Sequence, residues 1–165
     1  MIRQFTPSED NSRDFRDALG CFATGITVIT APTAGVGIGM TANSFSALSL
    51  APPLVLWAPA KSSERYTFFC ESSHFAIHVL RNDQMSLARD FADHGDAFDK
   101  IDVRHNNAGV PIFDNCLARF ECQTHAIHEG GDHSIMVGLV TQAMIGEGTP
   151  LIFAQRQYGG FDPRT

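Results

Sequence analysis

The spacing of apolar and polar residues changes period several times along the chain. Between Ser12 and Phe22 the apolar residues Phe15, Leu19 and Phe22 lie four and three apart, on one face of a predicted helix. Ser12 suits its N-cap, and Gly20 or Gly25 its stop. Residues 1–11 before it form a polar lead-in. β-branched residues then dominate from Gly25 to Ala31, Pro32–Gly35 reads as a turn, and the strand pattern resumes through Ala42. This predicts a β-hairpin. Gly35, Gly37 and Gly39 alternate along its second arm. Such a row either admits a flat group close to the backbone or marks a twisted strand or bulge.

Pro52-Pro53 breaks the chain before LVLWA, a continuous apolar strand. Ser62 or Ser63 suits the cap of a short helix running to Cys70, and Phe75–Leu80 reads as a strand. Asn82 caps a predicted helix with Met85, Ala88, Phe91 and Ala92 along one side, and His94–Gly109 is polar and loop-like. Ala118–Ile127 alternates, with Ala118, Phe120, Cys122, Thr124 and Ala126 on one face. A tight Gly130-Gly131-Asp132-His133 turn leads into a long strand, and LIFAQRQYGGF closes the chain. Seven or more strands, two or three short helices and no βαβ rhythm predict a mainly-β single domain over 1–165. Its architecture is a small antiparallel barrel with peripheral helices.

Composition narrows the function. A chain of 165 residues, 44% hydrophobic and 18% charged, has the make-up of one folded domain. The net charge of -6, with scattered Lys and Arg, argues against nucleic acid as a partner. Cys21, Cys70, Cys116 and Cys122 form no CxxC pair and read as small buried hydrophobes, which favours a reducing compartment. The N-terminus has no apolar run of signal-peptide type and no segment is long enough to span a membrane, so a cytoplasmic location is expected.

Three stretches carry candidate chemistry. Thr41, Asn43, Ser44 and Ser46 suit the alternating donors and acceptors of an isoalloxazine edge, or form a polar bend. Lys61-Ser62-Ser63 at a helix start, with Arg65 one turn on, suits an anion, or is an ordinary cap. His133 after its Gly-Gly-Asp turn suits a carboxamide or a developing charge, or is a surface histidine on a hairpin. Among the seven histidines, His125 and His128 have opposite strand parity, so no metal site is expected. GVGIGM lacks the third glycine of GxGxxG, and no GxSxG elbow is present.

MTANSFSALSLAPPLVLW, then KSS, then GGDH, in that order, resembles the flavin reductase family of FMN-binding split barrels. ALGCFATGITVIT, FAIHVL, FADHGDAFDK and QYGGF also fall in the family's order, so the resemblance runs from about Phe15 to Phe161. It implies a six-stranded antiparallel split barrel of Greek-key type and a homodimer. It further implies an NADH- or NADPH-dependent reductase that passes reduced FMN or FAD to a flavin-dependent oxygenase component. By resemblance, Thr41, Ala42, Asn43, Ser44 and Phe45 line the ring, and Trp57 and Ala58 flank the ribityl chain. Lys61, Ser62 and Ser63 hold the phosphate, His133 seats the nicotinamide, and Phe91 and Lys100 lie near ring or tail. Trp57 stands where smaller residues are frequent, and His78 where an amide is often found. These departures leave the choice among FMN, FAD and riboflavin open. Two alternatives remain: an oxidase of the pyridoxamine-phosphate-oxidase type on a similar barrel, and a non-catalytic flavin-binding domain.

Overall fold

The computed structural model describes residues 2–163. Its strands are β1 (Thr24–Gly25), β2 (Thr27–Ala31), β3 (Ile38–Ala42), β4 (Ser46–Leu50), β5 (Pro53–Trp57), β6 (His74–Val79), β7 (Arg104–His105), β8 (Pro111–Ile112), β9 (Ala118–Gly130), β10 (His133–Ile145), β11 (Leu151–Ala154) and β12 (Gln157–Gly160). The helices are α1 (Ser12–Leu19), α2 (Tyr66–Glu71) and α3 (Met85–Asp93). Seven strands form one antiparallel sheet in the order β3-β2-β6-β9-β10-β5-β4. β1, β11 and β12 form a second small sheet, and β7 pairs with β8. The mainly-β expectation holds; the main ladder has seven strands, and its edges β3 and β4 are not hydrogen-bonded to each other.

The connection between those edges constrains the shape. Seven flat strands at about 4.8 Å spacing would separate the edges by about 29 Å. Only Asn43, Ser44 and Phe45 link β3 to β4, and four extended steps reach about 14 Å. The sheet therefore curls strongly, and this polar bend crosses the gap between its edges.

Every residue of β2 is buried, so both sheet faces are covered there. Its neighbours Val28 and Ile29 point to opposite faces and join different clusters. Ile29 packs with Trp57, Phe69, Phe75, Ile77 and Met136. Val28 packs with Leu80, Leu87, Phe91, Phe98 and Phe113. Residues 101–116 cover the outer face of β6 and β9, where Ala76, Val110 and Ile112 form a small cluster. Thr30 Oγ1 donates to the Pro111 carbonyl at 2.6 Å. Part of the segment read as a polar loop is thus a cover, with Ala97 and Phe98 buried in a 3-10 turn at Ala97–Lys100.

That cover explains several differences from the sequence pattern. Arg119 and Glu121, on the face of β9 read as polar, are buried; they form an ion pair at 3.1 Å, and Asn106 donates to Glu121 at 2.7 Å. His78 is buried and stacks on Phe113 at 3.9 Å. α1 starts after Asn11, whose side chain accepts from the Ser8 amide at 2.8 Å, and Gly20 caps its end as expected. Its face residues Phe15 and Leu19, with Phe22 beyond it, are exposed. α3 follows a 3-10 turn at Asn82–Gln84 and buries Leu87, Ala88 and Phe91, while Met85 and Ala92 are exposed. Cys116 and Cys122 are buried as read, but Cys21 is exposed and Cys70 half-buried. β4 lacks a clear sequence signal because all its residues except Ser49 are exposed.

Candidate functional site

The three candidate stretches meet around the end of β5. Ser44 Oγ donates to the Ala58 carbonyl at 3.2 Å and accepts from the Ala58 amide at 3.0 Å. This pair fixes the polar bend to the residue following β5. Beyond Ala58 the chain continues alongside the β9–β10 hairpin. The Lys61 amide donates to the Asp132 carbonyl at 2.9 Å, the Ser134 amide to the Pro59 carbonyl at 3.1 Å, and Ala60 bridges to His133. The Lys-Ser-Ser turn and the Gly-Gly-Asp-His turn, some seventy residues apart in sequence, are therefore neighbours. Gly131 at φ 78 makes the reversal in a region that favours glycine.

Ser62 and Ser63 do not cap a helix directly, since α2 begins only at Tyr66. A hydrogen-bonded turn precedes it: the Ser63 amide donates to Ala60, the Tyr66 amide to the Ser63 carbonyl, and the Arg65 amide to Ser63 Oγ at 3.2 Å. Lys61 forms an ion pair with Glu129, and this hydrogen bond raises its pKa. Ser62 is exposed, with its hydroxyl on the surface of the turn. The His133 imidazole is 43% exposed, and its Nδ1 lies 2.8 Å from Asp132 Oδ1. In the neutral ring Nδ1–H donates to the carboxylate, leaving the Nε2 lone pair free to accept. The same hydrogen bond lowers the Asp132 pKa.

Thr41 Oγ1 donates to the Ala88 carbonyl at 2.6 Å, which ties the end of β3 to α3 and leaves its oxygen only as an acceptor. Asn43 is exposed, with its amide open to solvent. Phe45 stacks on Phe120 with centroids 5.6 Å apart, anchoring the far end of the bend. This set offers a ring-edge partner of mixed donors and acceptors, then a cationic, hydroxyl-bearing turn, then an imidazole acceptor. That order fits a flavin with a phosphate tail and a nicotinamide carboxamide.

A model of the flavin reductase like domain matches residues 19–162. The chain belongs to this family. Among its relatives, an NADH-dependent FMN reductase of Agrobacterium fabrum is 53% identical over 157 residues, covering 95% of this chain and 90% of its own. The reductase subunit of a flavin-dependent monooxygenase from Rhodococcus jostii is 40% identical, covering 92% and 78%. Among solved structures, the NADH:FAD oxidoreductase of Streptomyces globisporus, in complex with NAD and FAD fragments, superposes with a TM-score of 0.89. It is 34% identical, and the match covers 97% of this chain and 98% of that one.

Within this family member, two expected contacts need correction. Trp57 and Phe91 are fully buried, so neither side chain can touch a ligand on the surface. Trp57 packs edge-on against Phe69, with its indole N–H buried and unpartnered. Phe91 lies beneath Gly39, where an added Cβ would sit 2.4 Å from its ring. The protein's own phenylalanine is the flat group that approaches this backbone. Lys100 is exposed and paired with Asp90 at 2.9 Å. Arg65, noted in sequence only as a further charge, lines a cleft of about 630 Å³ together with Ser63, Ile38 and Phe68.

Proposed function

We propose that the protein is an NADH-dependent flavin reductase that delivers reduced FMN or FAD to a flavin-dependent oxygenase component. The observation that carries this reading is the backbone pairing of Pro59–Lys61 with Asp132–Ser134, which sets the Lys-Ser-Ser turn beside His133. Family membership and the named relatives support the same activity. The flavin, taken as substrate, accepts hydride from the nicotinamide at its N5. Lys61, Ser62 and Ser63 hold the phosphate by charge and hydroxyl donation. Thr41, Ala42, Asn43, Ser44 and Phe45 line the ring edge, and Ala58 closes the ribityl side. His133 accepts a hydrogen bond from the carboxamide at Nε2 and so orients the nicotinamide for transfer.

NADH oxidation with added FMN, FAD or riboflavin tests the activity; no flavin-dependent oxidation with either nicotinamide would overturn it. His133→Ala is expected to raise KM for NADH roughly tenfold, as loss of a well-placed hydrogen bond does, with flavin KM little changed. Equal changes in both would remove this role. The reading extends to a homodimer, because Phe15, Leu19 and Phe22 leave an exposed apolar strip at the N-terminal helix. A sedimentation mass of one chain would remove that part. On this reading the curled seven-stranded sheet is the split barrel of the family, and the four free cysteines fit a reducing cytoplasm.

A further inference from the structure

Arg65 holds an unusual position for a charged side chain next to an anion-binding turn. Its guanidinium donates to three backbone carbonyls: Nη1 to Gly39 at 3.1 Å and to Phe91 at 2.7 Å, and Nη2 to Ala92 at 2.7 Å. Phe91 and Ala92 lie in the last turn of α3, where carbonyls have no partner within the helix. Arg65 therefore caps a helix other than its own, with its charge at the favourable end of the helix dipole. The Gly39 amide donates to the Gly95 carbonyl at 2.7 Å, and a Cβ added at Gly95 would meet Arg65 Cδ at 3.0 Å. β3, the end of α3 and residue 95 thus converge on one side chain.

From this we infer that Arg65 is a positioning residue for the phosphate end of the flavin. The Lys61–Ser63 turn hangs between two anchors. Its first is the Lys61 amide on the Asp132 carbonyl. Its second is Arg65, whose amide donates to Ser63 Oγ and whose side chain is bolted to β3 and α3. The ring-lining bend has an anchor of its own that Arg65 does not touch, Ser44 on Ala58. Removing the second anchor loosens the phosphate-holding turn and leaves the ring-holding bend in place. The inference rests on the flavin reductase reading, and it separates flavins with a phosphate from those without.

The test compares FMN with riboflavin in Arg65→Met and Arg65→Lys. For Arg65→Met, KM for FMN is expected to rise roughly tenfold and KM for riboflavin to change by less than about twofold, as loss of a charge-assisted anchor on one half predicts. Arg65→Lys keeps the charge without the planar fork and is expected to fall between Met and wild type. Parallel rises for both flavins, or an unchanged FMN value, would overturn the assignment. If Arg65→Met shows no cooperative melt, the same ratio in Arg65→Lys decides. If the wild type turns over no flavin, the functional reading fails on its own. The inference is then read from binding, by quenching of Trp57, the chain's single tryptophan, with the two flavins. Equal loss of affinity for both would again overturn it.

Discussion

At the scale of single residues, close approach explains what spacing alone left open. The alternating glycines of GVGIG divide into separate roles. Gly37 sits at φ 128, a backbone region that favours glycine, and Gly39 is needed because Phe91 lies against it. Gly39→Ala is expected to lower the urea midpoint, by an overpacking cost of about 1–3 kcal/mol, since backbone and core ring both resist movement. His78 is a second case. Burial pushes its pKa down to about 3, and it stays neutral, donating from Nδ1 to the Val28 carbonyl and accepting from the Phe113 amide. Its ordinary value is 6.5, so the unfolded chain takes up the proton more readily than the folded one. Its stabilisation is complete above that value and is lost as pH falls toward 3. Denaturation midpoints across this window should fall less steeply in His78→Gln than in wild type; equal slopes would remove His78 as the cause. The sequence showed a histidine inside an apolar strand, but not the carbonyl and amide that satisfy it, which come from 50 and 35 residues away.

At the scale of elements, local pattern was most legible where β-branched runs, alternation or a glycine turn mark the chain. The β2–β3 hairpin, the long β9 and β10 arms and the Gly-Gly-Asp-His turn all follow their sequence pattern. β4 did not, because a mostly exposed strand has no alternation to read. Neither did the outer face of β9, because the segment that covers it lies in a stretch of polar composition. The polar bend shows how one short element acquires a role. Its hydroxyls and amide were visible as candidates, yet what holds them in place is Ser44, through its two bonds to Ala58. Ser44→Ala removes both and is expected to raise KM for FMN and riboflavin alike, several-fold, by the usual worth of a pair of part-buried hydrogen bonds. A change confined to FMN would show instead that the bend serves the phosphate end.

At the scale of the whole molecule, the curl of the sheet completes the candidate site. β5 pairs with both β10 and β4, so the Lys-Ser-Ser turn, the histidine hairpin and the start of β4 lie side by side, and the curl adds the end of β3, with Thr41 and Ala42, to that group. The order of motifs along the chain pointed to this gathering only through the family resemblance, since no local spacing connects Lys61 with His133. The three-residue crossing from β3 to β4 has a consequence beyond the site. An unpaired strand edge is a template on which another chain can add, and a long sheet usually has two. Here the same short link that carries the candidate ring-lining residues draws those edges toward each other at its ends. The bend proposed to recognise a small aromatic ligand thereby also shields the sheet from polymerising edge to edge, so a longer link would favour aggregation even if every proposed binding residue were kept.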